Sequence, residues 1–93
     1  MNLKINASNL VTRHYLEISD RGVEYCETVS VGGVRRFRFD QIAAILRGVN
    51  SVLSFQVGHE IFKIPIQADN AMHRAAVARF VSEVRRTVQR TGA

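Results

Sequence analysis

The residues best suited to chemistry are three histidines and one cysteine, and the sequence spreads them widely. His14, His59 and His73 are far apart along the chain, and Cys26 is the only cysteine. This spacing matches no metal-ligand pattern, and a lone cysteine excludes both an internal disulfide and a cysteine-rich metal site. We therefore expect no metal and no cofactor. Cys26 has the strand parity of Glu24, so we expect a structural thiol on the more polar face.

Paired carboxylates are the next candidates for catalysis. Glu17, Glu24 and Glu27 fall on two neighbouring predicted strands. A glycosidase-like pair needs a deep cleft, which a chain of 93 residues rarely builds. We expect these side chains to pair with arginines on adjacent strands. Since the sequence also has no G-x-S-x-G element and no glycine-rich phosphate loop before a helix, we predict that it is not an enzyme.

Arginine side chains form two candidate surfaces. In RRFRF (35–39), alternation places Arg36 and Arg38 on the polar face, with Arg35 near the Gly32-Gly33 loop. A second basic face is expected on the outer side of a C-terminal helix, formed by Arg79, Arg86 and Arg90. The net charge is +5, so a basic surface could meet phosphates or acidic lipid. The alternative is a solvated strand face that protects a sheet edge from aggregation.

The aromatic residues argue against a nucleic-acid surface. Such a surface interleaves basic residues with exposed aromatic rings. Here Tyr15 is the one ring for which exposure is expected. The phenylalanines all fall on predicted core faces: Phe37, Phe39, Phe55, Phe62 and Phe80.

Alternating apolar residues predict five to seven short strands. The period of two is clear at 13–19, 23–31, 34–42, 51–57 and 60–67. The segment NLKIN is either an extra strand or coil. DQIAAILRG is a short helical turn or, as we favour, a bend that leads into another strand. Tight turns are predicted at 19–22, at Gly32-Gly33 and at Gly58-His59.

The period changes after residue 69, where apolar residues recur every three or four positions to about Arg90. This pattern predicts an amphipathic helix with Asp69 or Asn70 as its N-cap. Pro65 is expected to end the last strand, because proline cannot donate to a sheet ladder. The helix is the one element able to cover the sheet. The predicted fold is therefore α+β: an antiparallel meander, strongly bent or partly closed into a barrel, with one C-terminal helix as a cap, in a single domain of residues 1–93.

This order of elements resembles the pleckstrin-homology-like superfold, and most closely the small bacterial domains of the YcxB-like type. The residues that carry the resemblance are Phe39-Asp40-Gln41-Ile42, SVLSFQV, Phe62-Lys63-Ile64-Pro65 and Phe80, within about 13–90. Two features depart from that pattern: Phe39 stands where those domains usually have Trp, and the two transmembrane helices that often precede them are missing. Eukaryotic lipid-binding relatives hold phosphoinositide headgroups near an early hairpin loop. The resemblance therefore implies phosphate contact at Arg35, Arg36 and Arg38.

We predict a non-enzymatic module that contacts another protein or a second copy of itself, because the core is small and sheet edges are exposed. The alternative is binding of anionic lipid headgroups or nucleic acid through the arginine-rich surface. No apolar run approaches the roughly 20 residues that span a bilayer. The segment MNLKINASNLV is a poor secretory signal, so we expect a cytoplasmic location.

Overall fold

The computed structural model describes residues 2–28, 33–48 and 51–91, with residues 88–91 described by their backbone alone. Within these residues the fold is α+β, with seven antiparallel strands in two sheets and one C-terminal helix, α1 (Ala71–Thr91). The first sheet has the order β1 (Leu3–Asn6), β2 (Arg13–Ile18), β3 (Gly22–Thr28), β4 (Val34–Arg38). The second has the order β5 (Ile42–Arg47), β6 (Val52–Val57), β7 (Glu60–Pro65). The predicted meander and helix are confirmed, and the two sheets do not close into a barrel.

Two segments that the sequence left open are now assigned. NLKIN contains β1, which pairs with β2 so that Ile5 lies opposite Leu16. DQIAAILRG contains the end of a 3-10 turn (Phe39–Gln41) and then β5, so the favoured strand is confirmed and a short helical turn, the alternative, leads into it. The side chain of Gln41 stabilises this turn, because its amide oxygen accepts a hydrogen bond from the backbone N–H of Arg38 at 2.8 Å.

The predicted turns agree with the backbone. Gly58 has a φ of 61° in the two-residue turn between β6 and β7, a conformation that glycine adopts without strain. In the turn between β2 and β3, the N–H of Ser19 donates to the carbonyl of Gly22 at 2.9 Å. Gly33 also has a positive φ, whereas Gly32 and the preceding end of the predicted 23–31 strand lie outside the described residues.

Phe55 lies at the centre of the core between the sheets. Its ring is 5.2 Å from that of Phe62, 5.4 Å from that of Phe80, 5.7 Å from that of Tyr25 and 6.3 Å from that of Phe37, measured between centroids. Edge-to-face and offset ring contacts have preferred geometries, so they favour one defined arrangement of the core over a loosely packed apolar cluster. The phenylalanines therefore occupy the core faces expected of them, with Phe62 only half-buried.

Tyr15 and Cys26 lie on the outer face of the first sheet, where each is opposite the other. The expected face is therefore correct, but the expected exposure of Tyr15 is wrong, because its exposed fraction is only 6%. The ammonium group of Lys4 covers its ring at 4.2 Å from the centroid, which removes the ring from solvent. Cys26 is fully buried beside it.

Helix α1 begins with a side-chain cap from Asn70, one of the two predicted candidates. The side-chain oxygen of Asn70 accepts a hydrogen bond from the N–H of His73 at 3.1 Å. The buried ring of His73 in turn accepts from the N–H of Gln67 through Nδ1 at 3.1 Å, which fixes the connection from β7. Across the described residues, no helix combines the length and apolar character needed to span a bilayer.

Candidate functional site

Two of the predicted phosphate-binding arginines lie together on the outer face of β4. Arg36 and Arg38 line a shallow groove of about 370 Å³ with Arg21, and Gly22 also contributes to its lining. Each of the two already has a carboxylate partner, however. Arg36 Nε is 2.9 Å from Glu24 and Arg38 Nε is 3.0 Å from Asp40. A phosphate at this groove would therefore compete with carboxylates for both guanidinium groups.

Arg35 points to the opposite face of β4 and is not brought together with Arg36 and Arg38. Its guanidinium lies 5.4 Å from the ring centroids of both Phe37 and Phe62. It also binds both carboxylate oxygens of Glu60, at 3.0 and 3.3 Å, which lowers the pKa of that carboxyl. Arg35 thus covers one end of the core and has a carboxylate partner there.

The second predicted basic face is also partly neutralised. Arg79 pairs with Asp20, and Arg86 is 3.4 Å from Glu83 one turn earlier on α1. The side chain of Arg90 lies outside the described residues. Most of the arginines that suggested these two anion-binding surfaces in the sequence are therefore paired with carboxylates of the same protein.

The expected pairing of strand carboxylates with arginines is confirmed for Glu24, whereas Glu17 contacts Asn2 and Glu27 lies beside His14. Besides the contact with Arg36, Glu24 accepts a hydrogen bond from the Tyr15 hydroxyl at 2.6 Å. These donors lower the pKa of Glu24, with the Tyr15 hydroxyl as the largest cause. The same bond, together with burial, raises the pKa of Tyr15 to about 12. The cluster holds the outer face of the sheet together and offers no free acid or base.

Among the described residues, two arginines without a carboxylate partner, Arg47 and Arg85, lie on the other side of the molecule, between β5 and α1. We define the β5 groove as two adjoining cavities of about 640 and 460 Å³ that share Arg47, Val81 and Arg85. The other lining residues are Ala43, Ala44, Ile45, Ala78, Ser82, Val84 and Arg86. A third cavity of about 370 Å³, which we call the turn pocket, continues from Arg47 to Ser51 and Arg74 at the start of α1.

The β5 groove exists because α1 is displaced towards the first sheet. The helix packs mainly against β1, β2 and the 3-10 turn, while Phe80 contacts Phe55 of β6. The register of β5 with β6 places Ile45 opposite Phe55, on the face that α1 covers. Side chains of β5 on this face thus form one wall of the groove, and Val81 with Val84 forms the other.

The four outermost strands differ in how their edges are used. β1 packs against α1. The edge of β7 contacts the first sheet, because the carbonyl of Lys63 accepts hydrogen bonds from the Tyr25 hydroxyl at 2.9 Å and from His14 Nε2 at 3.0 Å. β4 carries three arginines within five residues, the usual protection of an exposed edge. β5 has no strand on its outer side within the described residues and has a single arginine, Arg47, at its end, although a register irregularity lies between Ile42 and Ala44.

The outer face of the second sheet adds apolar surface next to this edge. Leu46 of β5 is 65% exposed and Ile61 of β7 is 61% exposed. Both line a small cleft of about 90 Å³ with Ala44 and Gln56. Exposed apolar side chains beside an open strand edge are typical of a surface that contacts another polypeptide.

Arg47 and Arg85 were not among the residues that sequence reasoning selected. The available signal was weak: AAIL is a strand segment in which neither face has a polar side chain, and Arg47 follows it directly. No group of three or more His, Cys, Asp or Glu side chains that could hold a metal ion occurs in the described part of the chain.

No protein-family model, curated protein or solved structure gives a significant match to this chain.

Proposed function

We propose that this chain is a non-enzymatic interaction module that binds an extended polypeptide segment along the free edge of β5. The observation that carries the proposal is the position of β5 at the end of its sheet, with no strand beyond it in the described residues. The outward N–H and C=O groups of an edge strand form a template for another strand. A partner segment would extend the second sheet from three strands to four.

The side chains of β5 support this use of its edge. Proteins protect exposed edges with charged residues or proline, as β4 does with its arginines. In β5, Ala43, Ala44 and Leu46 are exposed, and the one charged residue is Arg47 at the end. The backbone of β5 is therefore accessible to a partner without the displacement of bulky charged groups.

Both faces of an added strand would find apolar surface. Side chains on one face would enter the β5 groove and contact Val81 and Val84. Side chains on the other face would lie beside Leu46, which is largely exposed. Main-chain hydrogen bonds supply affinity in this mode of recognition, and contacts of alternate side chains supply specificity.

A displayed library of random linear peptides provides the test, because it supplies extended segments without assuming a partner. We expect selected peptides to slow hydrogen exchange of those amides within 43–46 that point away from β6, as measured by NMR, since these alternate amides would become donors in a new ladder. Selected peptides that protect amides of β4 or of α1 while leaving β5 unchanged would refute the proposal. A library that yields no binder to the folded protein would also refute it.

Two tryptophan substitutions on α1 make a matched pair for the same test. Ala78 is exposed and lines the β5 groove, so Ala78→Trp should fill the groove and weaken peptide binding at least about tenfold. Ala75 is also exposed but lines neither cavity of the β5 groove nor the turn pocket, so Ala75→Trp should bind as the parent does. Equal effects of the two substitutions would place the binding surface elsewhere.

The proposal also includes a cytoplasmic location and membership of the pleckstrin-homology-like superfold. The order of seven strands followed by a C-terminal helix supports the second point, and the sequence-based expectation supports the first. A fluorescent fusion of the full chain in a bacterial host would test the location. Accumulation at the envelope would contradict it.

A further inference from the structure

We infer that the segment bound by β5 is acidic and comes from a different protein rather than from a second copy of this chain. This inference rests on the proposed function, because it specifies the chemistry of the strand that would be added. Its basis is the distribution of charge around the β5 groove and the turn pocket.

The linings of these cavities contain four arginines and no acidic side chain among the described residues. The arginines are Arg47, Arg74, Arg85 and Arg86. Only Arg86 has a carboxylate partner in the part of the chain described, namely Glu83 at 3.4 Å. Arg74 donates to the carbonyl of Ala68 at 2.8 Å, which satisfies one N–H and leaves its charge uncompensated.

This pattern contrasts with the arginines of β4. Arg35, Arg36 and Arg38 each contact a carboxylate of the same chain at 3.0 Å or less. The arginines of β4 are thus neutralised by acids of the same chain. Among the described residues that line the β5 groove and the turn pocket, Arg47, Arg74 and Arg85 have no carboxylate partner, and only Arg86 is paired, with Glu83. Complementary charge must come from the bound segment.

A second copy of this chain does not have a suitable segment. An extended segment presents every second residue to the same side, so an acidic face needs acids two positions apart. The eight acidic residues of this chain are nowhere closer than three positions, as at Glu17 and Asp20. Pairing of β5 with β5 of a second copy would also bring together two sets of uncompensated arginines, which repel.

Three blocked octapeptides test the inference: acetyl-(Val-Glu)₄-amide, acetyl-(Val-Thr)₄-amide and acetyl-(Val-Lys)₄-amide. We expect the Glu peptide to bind in calorimetric titrations, to protect amides of β5, and to weaken as salt is added. We expect the Thr and Lys peptides to bind at least about tenfold more weakly. Equal binding of the Glu and Thr peptides, both at β5, would overturn the acidic preference while leaving the edge-strand proposal intact.

Charge-reversal variants distinguish binding at the β5 groove from a general effect of the protein's net charge. Arg47→Glu should weaken binding of the Glu peptide at least about tenfold and should strengthen binding of the Lys peptide. Arg21→Glu changes the net charge equally but lies in the groove of the first sheet, so it should have less than about twofold effect. Equal losses from both variants would overturn the inference.

The oligomeric state tests the exclusion of a second copy. Sedimentation of the full chain across a wide concentration range should give a monomer, and β5 amides should exchange at the same rate throughout. A dimer in which the amides of β5 become protected would overturn the inference and retain strand addition at that edge.

Discussion

The hydroxyl of Tyr25 donates a hydrogen bond to the main-chain carbonyl of Lys63 at 2.9 Å, and this contact joins the first sheet to β7. His14 Nε2 lies 3.0 Å from the same oxygen. The two side chains occupy a carbonyl at the edge of β7 that would otherwise be open to a partner strand. β7 and β5 are the two outermost strands of the second sheet. The contact between Tyr25 and Lys63 is one reason why the edge of β7 is less open to a partner strand than the edge of β5.

Replacement of Tyr25 by phenylalanine should reduce the free energy of unfolding by about 1 kcal/mol, the usual net contribution of one hydrogen bond. The ring contacts with Phe55 and Phe62 are retained in this variant, so packing changes little. Urea denaturation followed by circular dichroism measures the difference. A free energy of unfolding equal to that of the parent would show that the two sheets do not depend on this bond.

Gly22 should not tolerate a larger residue. A Cβ atom at this position would lie 2.1 Å from the carbonyl oxygen of Phe37, which is far inside van der Waals contact. We expect Gly22→Ala to destabilise the protein by roughly 3 kcal/mol, through displacement of β3 from β4. Gly48→Ala is the control, because its Cβ would be 3.6 Å from the nearest atom and its expected effect is within about 1 kcal/mol. Similar thermal midpoints for the two variants would contradict the close approach.

Both tyrosines should resist ionisation until strongly alkaline pH. The pKa of Tyr15 is raised to about 12 by its hydrogen bond to Glu24 and by burial. The pKa of Tyr25 is raised to about 12 mainly by burial, with the charge of Glu27 as a further cause. Each group holds its proton more tightly in the folded state than at its ordinary pKa of 10.0. The resulting stability is complete below pH 10 and is lost as the pH rises towards 12.

Ultraviolet titration of tyrosinate absorbance measures this behaviour directly, since the chain has only two tyrosines. We expect little absorbance change near pH 10 and a transition near pH 12 that coincides with unfolding. Tyr15→Phe should remove about half of the total change, because one of two equal chromophores is lost. A transition centred near pH 10 in the folded protein would contradict the assigned hydrogen bonds.

The two arginine sets should differ in their contribution to the binding of anionic surfaces. Arg35→Gln, Arg36→Gln and Arg38→Gln together remove charges that already have carboxylate partners. Arg47→Gln, Arg74→Gln and Arg85→Gln together remove the same number of charges from the lining of the β5 groove and the turn pocket. Cosedimentation with phosphatidylserine vesicles should show the larger loss for the second set, because its charges are uncompensated. A larger loss for the first set would contradict this expectation and support the phosphate contact predicted from the sequence.

Local patterns explain why most elements could be predicted. Alternation in RHYLEIS and in SVLSFQV marks a buried face wherever the strand is placed, and Leu16 and Phe55 are indeed buried. The helix was predictable for the same reason, since its apolar residues recur every three or four positions and its cap, Asn70, directly precedes its first residue. The exposure of Tyr15 was mispredicted because Lys4, on a separate strand, covers its ring.

The sequence by itself determined the helix, the tight turns and the strands other than β1 and β5, because these depend on alternation, turn residues and caps that act over a few positions. Only the tertiary structure decided which arginines are neutralised and which sheet edge is open. Arg35 meets Glu60 from 25 positions away, and Arg79 meets Asp20 from 59 positions away. Such pairs form through spatial proximity, which composition does not reveal. The candidate site at β5 is therefore a product of where α1 lies and of which edges its neighbours cover.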